Sequence, residues 1–182
     1  MHDAPEIALI TRRYREIFDA RLTPCFQSYI ADAQQEAVAA LGYRRAGEAP
    51  LFLEAYLDHP IEQAVSMVLG RPTERDRIVE IGNFAAENAM AMIDLWGTAA
   101  NDLGGRSEVA VATLTAPLRR IFARIGIPVH EIAPARRERI GADSAAWGRY
   151  YESDPRICAG LIAEGQGAIA AFMARRRRKV AA

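Results

Sequence analysis

The stretch RIVEIGNFAAE, Arg77 to Glu87, holds the residue best suited to chemistry. Ile78, Val79 and Ile81 form a run that sheets favour. Period-2 alternation places Ile78, Glu80, Gly82 and Phe84 on one face of that strand, and Val79, Ile81, Asn83 and Ala85 on the other. A carboxylate on an apolar face loses hydration, which raises its pKa and suits a general base near neutrality. The competing reading is a structural Glu80, tied inside the fold to Arg44 or Arg119. Gly82 is the natural place for a bulge that would free backbone N–H groups beside it.

Other groups carry weaker signals. Glu54, Asp58 and Glu62 are spaced by fours, but His59-Pro60 interrupts any single helix that would align them. They could hold the ammonium of an amine; otherwise Asp58 caps a helix and the rest is a solvated face, the reading favoured for Glu62. Arg175 to Lys179, RRRRK, is the one strong charge run. It is either a solvated tail or a dock for an acidic partner or anionic lipid, which Arg119, Arg120 and Arg124 on a neighbouring helix would extend. His2, His59 and His130 have no metal-ligand spacing, so no metal site is expected.

The elements that must position these groups read as one domain over residues 1–182. Asp3-Ala4-Pro5-Glu6 has the form of a capping box and opens a helix over about 4–22, with Ile7, Ile10, Tyr14, Ile17 and Phe18 on one face. Residues 25–32 and part of EAVAALGYR look extended. LFLEAYLDHPIEQAVSMVLG should break at His59-Pro60 into a strand or turn and a short helix. A helix is expected over roughly 88–103, a strand in EVAVATL, a helix from Thr115 to Gly126, a strand in IPVHEIA and a last strand over 155–162. Residues 134–151 read as helix and loop, and the basic tail, about 164–182, as helix. This order predicts a mixed α/β sheet flanked by helices.

Bulk composition narrows the classes. Lys+Arg 23 balances Asp+Glu 23, so no global basic field points to nucleic acid. No apolar run approaches a membrane-spanning length, and MHDAPEIALITRR lacks the features of a signal peptide. Cys25 and Cys158 are too few for a disulfide scaffold, which suggests reduced thiols in a cytoplasmic protein, although one bridge between them is compatible with the sequence.

Three segments in order, LFLEAYLDHPIE (51–62), RIVEIGNFA (77–85) and WGRYYESDPRICAG (147–160), resemble the signature blocks of the thermostable hemolysin family (delta-type). LGYR (41–44) and VATLTAPLRRIFARIGIP (111–128) fit as well, so the resemblance covers roughly residues 24–160. The family is similar in turn to the GNAT acyltransferases, and most closely to the acyl-homoserine lactone synthases. The resemblance implies a GNAT-like, mostly antiparallel sheet that splays at its central strand, with Glu80 facing the cleft. Asn83 stands where those synthases typically have Arg, which implies a different acceptor. The segment after the strand reads AAENAMA, without the glycine-rich phosphate loop of a usual GNAT, which favours a carrier-bound or long-chain donor.

The implied activity is transfer of an acyl group from acyl-coenzyme A or acyl carrier protein to a small amine, with no permanently bound cofactor. Glu80, Gly82 and Asn83 are the expected catalytic set. The expected substrate contacts are Glu54, Asp58, Phe84, Ala85, Trp96, Thr113, Trp147 and Tyr150; the aromatics at WGRYY otherwise pack as core or rim. Arg119, Arg120, Arg124, Arg175, Arg176, Arg177 and Arg178 are the expected carrier-protein dock. Two other readings stay open. The family name, taken literally, makes the tail GAIAAFMARRRRK a membrane-active segment, and a GNAT-like fold can bind an acyl ligand without catalysis.

Overall fold

The computed structural model describes residues 4–33 and 37–180. Six strands, β1 (Ser28–Ala33), β2 (Ala37–Arg45), β3 (Ile78–Ala86), β4 (Val109–Leu114), β5 (His130–Pro134) and β6 (Arg156–Leu161), form one sheet in the order β1-β2-β3-β4-β6-β5. Every neighbouring pair is antiparallel except β3 and β4. A parallel pair needs a crossover, and α3 (Ala89–Gly104) supplies it. Asn88 caps that helix by accepting from the Ala91 N–H at 3.0 Å.

The parallel ladder is short. Ile78–Ile81 pairs with Val109–Ala112 and there it stops, although β3 continues to Ala86 and β4 to Leu114. The sheet therefore splays at its centre, just beyond Glu80.

The alternation expected along β3 breaks at one residue. Ala40 pairs with Ala85 and Gly42 with Gly82, so Leu41 alone faces both Asn83 and Phe84. This bulge sits at Asn83, φ 52°, rather than at Gly82. Asparagine tolerates the left-handed region because its short polar side chain can bond locally. The extra residue turns Phe84 to the face of Val79 and Ile81, not that of Glu80 as strict alternation gives.

One face of the sheet lies under α3, α4 (Ala116–Ile125) and α5 (Ile162–Val180), with Leu41, Val79, Phe84, Leu114 and Cys158 in a continuous core. The opposite face is covered in two halves. At the start of β3, α2 (Ile61–Leu69) and a 3-10 helix (Phe52–Tyr56) pack Leu53, Ile61 and Val65 onto Ile78, Val109 and Val111. At its end, α1 (Pro5–Phe18) packs Leu9, Ile10 and Tyr14 onto Ala40 and Ala85.

Several boundaries differ from the sequence reading. The first helix stops at Phe18, not near 22, because Asp19 adopts φ 52° and its N–H closes onto Arg15 O at 3.0 Å. Ile17 is 49% exposed, and Leu9 takes its place on the buried face. Asp3, the expected cap, lies outside the described residues. Residues 51–62 form no strand, because the Glu54 carboxylate accepts from Leu51 N–H at 3.0 Å and Ile61 N–H at 3.1 Å, tying two helical starts together.

Candidate active site

Between the two half-covers a cleft of about 350 Å³ opens over the splay. Glu80 lies in its floor with only 3% of its surface exposed. Its carboxylate accepts from the Phe52 N–H at 2.8 Å and the Leu53 N–H at 3.1 Å, at the start of the 3-10 helix. Arg44 stands directly across the β2–β3 ladder, yet its guanidinium lies 3.9 Å from the Phe52 ring centre and donates to Pro50 O and Cys25 O. No salt bridge reaches Glu80 among the described residues.

Two glycines shape the wall beside it. A Cβ on Gly42 would lie 2.6 Å from Phe26 Cγ, and one on Gly82 2.8 Å from Phe26 Cζ. The pair, opposite each other on β2 and β3, lets the Phe26 ring settle against the sheet, 5.1 Å from Phe52 in edge contact. At the other end the wall is aromatic: Trp147 and Tyr150 are 5.1 Å apart, and Tyr14 lies 6.2 Å from Trp147. The Tyr56 and Tyr151 hydroxyls bond at 2.7 Å. Burial raises the Tyr14 and Tyr56 phenols well above their ordinary value, so both stay protonated.

Burial pushes Glu80 up to about 7, against the two backbone N–H groups and Arg44, which favour its charged form. The consequence for stability has a definite sign. Between 4.5 and about 7 the folded protein holds a proton that the unfolded chain has released, so stability falls as pH rises through that window. At 1.36 kcal/mol per unit this is about 3 kcal/mol. The free energy of unfolding of Glu80→Gln, relative to the parent, should therefore rise by about 2–3 kcal/mol from pH 5 to pH 8 in urea titrations. A difference that stays flat with pH would remove the perturbed carboxyl.

A second, narrow cavity of about 80 Å³ lies on the other face, between the sheet and helices α3, α4 and α5. It is apolar, and its walls are small residues (Ala99, Ala100, Ala110, Ala112, Gly160 and Gly165) set among Trp96, Phe122 and Ile169. Ile81 borders both cavities, at the point where β3 and β4 part.

Residues 3–166 match the thermostable hemolysin family. The chain belongs to that family. None of the curated proteins matches it. Among solved structures it is similar to TofI in an apo form, at 17% identity and TM-score 0.53, covering 93% of this chain and 91% of that one. It is also similar to FeeM, an N-acyl amino acid synthase from uncultured soil microbes (12% identity, TM-score 0.53, 90% and 92% covered). A third likeness is to BjaI, a CoA-dependent acyl-homoserine lactone synthase with SAM and isopentyl-CoA (11% identity, TM-score 0.59, 93% and 80% covered). These likenesses are of fold, a mixed α/β sheet flanked by helices.

In this hemolysin-family chain the cleft gathers Glu80, Gly82, Asn83, Thr113, Trp147 and Tyr150. Other expected contacts lie elsewhere. Ala85 is buried beneath α1, while Phe84 packs edge-on against Trp96, which lines the second cavity. Glu54 is claimed by Arg75 at 2.6 and 2.8 Å, which together with its backbone donors holds it down at about 2. Glu62 shares the same arginine at 2.9 Å instead of facing solvent freely. Asp58 pairs on the surface with Arg139 at 2.9 Å. Glu54 and Asp58 are therefore structural and do not reach the cleft.

Arg119 is likewise committed: it donates to Leu114 O, Asp154 O and the Asp154 carboxylate, each within 2.7 Å. Arg120, Arg124 and Arg175 to Arg178 are exposed. Both cysteines are free thiols, Cys158 buried and Cys25 at the cleft. Sequence reasoning did not find Tyr14, Phe26, Phe52, Tyr56 or Asp143, all of which line the cleft. The pairing of Gly42 with Gly82, which admits the Phe26 ring, is visible only in the sheet.

Proposed function

We propose that the protein is an N-acyltransferase that moves an acyl group from a thioester to the amine of a small acceptor, with Glu80 as general base. The observation that carries this reading is a buried carboxylate, poised near neutrality, in the floor of an aromatic-walled cleft and next in the chain to Ile81, which also borders the apolar cavity. The amine nitrogen attacks the thioester carbonyl while Glu80, directly or through one water, takes the proton the nitrogen loses. Backbone N–H groups along Gly82–Phe84, at the edge of β3 that β4 leaves unpaired, stabilise the oxyanion. Collapse breaks the C–S bond, Glu80 returns its proton to the departing sulfur, and the products are an amide and a free thiol. The acyl chain runs past Ile81 into the apolar cavity, and the amine waits in the cleft.

The donor is a carrier protein or coenzyme A. The chain holds no glycine loop ahead of α3; Asn88 caps that helix itself, and Glu87 beside it pairs with Arg12. Phosphate therefore finds no cradle there, which supports a carrier-bound acyl group docking on the exposed arginines.

Thiol release from acyl-coenzyme A and acyl carrier protein of graded chain length, in the presence of a primary amine panel, tests the reading. Amine-dependent release that varies with chain length supports it, and none from either donor type overturns it. Ala100→Leu extends into the narrow cavity from a partly buried helical position, where leucine is a good helix former. It should lower turnover of the longest chain accepted by about tenfold or more, for a loss of roughly 1.4 kcal/mol of binding, and leave the shortest nearly unchanged. Equal losses at every length would remove the acyl chain from this cavity.

A further inference from the structure

The acceptor side of the cleft has a charge pattern of its own. Its lining includes two carboxylates, Glu80 in the floor and Asp143 on the rim, and among the described residues no Arg, Lys or His. Asp143 makes no ion pair or hydrogen bond among the described residues, and it is exposed. The cations lie behind the lining: Arg44 stacks on Phe52 and donates to Pro50 O and Cys25 O, its charge still favouring the carboxylate form of Glu80, and Arg137 donates to the Ser144 hydroxyl at 3.0 Å. A second feature points to a ligand independently. Tyr14 is 6% exposed and lines the cleft, yet its hydroxyl has no hydrogen-bond partner among the described residues. The ring is buried while the hydroxyl opens on the cleft, where it can donate to a bound ligand.

We infer that the acceptor is a cationic primary amine that carries no carboxylate, its remaining polar group being a neutral oxygen that accepts from Tyr14. The ammonium arrives between Asp143 and Glu80 with Trp147 and Tyr56 as aromatic walls, surroundings that favour a cation, and it releases one proton to solvent before the neutral nitrogen attacks. A free amino acid would bring its own carboxylate into a cleft with two others and no Arg, Lys or His in its lining to pair with it. Discrimination here comes from that missing partner rather than from size. The inference rests on the acyltransferase reading for the role it gives the ligand, not for the charge argument.

The test is equilibrium binding, which does not depend on turnover. Phenylalanine methyl ester, phenylalanine and 2-phenylethylamine share one ring and one amine and differ only in the group on the adjacent carbon. Calorimetry, with tryptophan fluorescence as a second readout, should show the ester binding at least about thirtyfold tighter than the amino acid, a gap of the size expected when a charge is left unpaired. Asp143→Asn should narrow that gap, and Tyr14→Phe should weaken the ester while leaving phenylethylamine nearly unchanged. Phenylalanine binding as tightly as its ester overturns the inference, as does no binding by any of the three. If the ester binds selectively but no amine is ever acylated, the ligand class stands and the transfer reading falls.

Discussion

Glu80→Gln should lower the turnover of amine acylation by on the order of 10²–10⁴, the range for loss of a general base, while thermal unfolding stays within a few degrees of the parent at pH 7. The geometry separates chemistry from folding unusually well here. The carboxylate accepts two backbone N–H bonds, and a carboxamide oxygen can still take one of them. The second is lost, but so is the burden of a buried charge that the parent carries at neutral pH. The pH profile adds an independent readout. If Glu80 is the base, the acidic limb of kcat/KM in the parent breaks near 7 and is absent in the variant. Comparable kcat in both proteins would remove Glu80 from the mechanism; a lost limb with unchanged kcat would do the same.

Gly148→Ala should be the most destabilising single-methyl change in the chain. Gly148 has φ 53° and ψ −123°, a conformation that L side chains rarely adopt, and its added Cβ would lie 2.2 Å from the Phe18 carbonyl oxygen. That oxygen cannot move aside, because it ends α1 and accepts from the Arg149 N–H at 2.7 Å. The neighbouring Arg21 N–H donates to Ala146 O at 2.7 Å, so the chain end of α1 is laced to the segment that carries Trp147 and Tyr150. Strain and clash together suggest about 3–5 kcal/mol. For a domain of this size that is on the order of 10 °C in Tm.

Gly141 is the internal control. It shares the conformation, φ 57° and ψ −130°, but a Cβ there meets nothing within 4 Å. Gly141→Ala should cost about 1–2 kcal/mol, the conformational part alone. Equal losses in the two variants would show that the contact with Phe18 is not what holds the aromatic wall in place.

How much of this was readable in the chain depends on the range of the interaction. Local signals were reliable where a short segment settles its own conformation. The helix expected over roughly 88–103 is α3, Gly126 ends α4, and the hydrophobic run at 78–81 makes an interior strand. The place of Glu80 on that strand, and its burial, follow from the same run. The bulge did not: it depends on β2 having one residue where β3 has two, a count that only pairing reveals. Glu54 and Asp58 looked like possible amine ligands because acidity is visible in sequence, whereas Arg75 and Arg139, which hold them, lie 21 and 81 residues away.

The sequence alone determined the class of fold, the order of its elements and the one carboxylate set on an interior strand, because periodicity and capping act within a few residues. Only the tertiary structure decided that Glu80 meets two backbone N–H groups rather than an arginine. It alone decided that Tyr14, Phe26, Phe52 and Asp143, from separate parts of the chain, share a cleft with it. Those neighbours are set by how two half-covers fall short of each other across a splayed sheet. No local propensity encodes that gap, which is a property of packing over the whole domain.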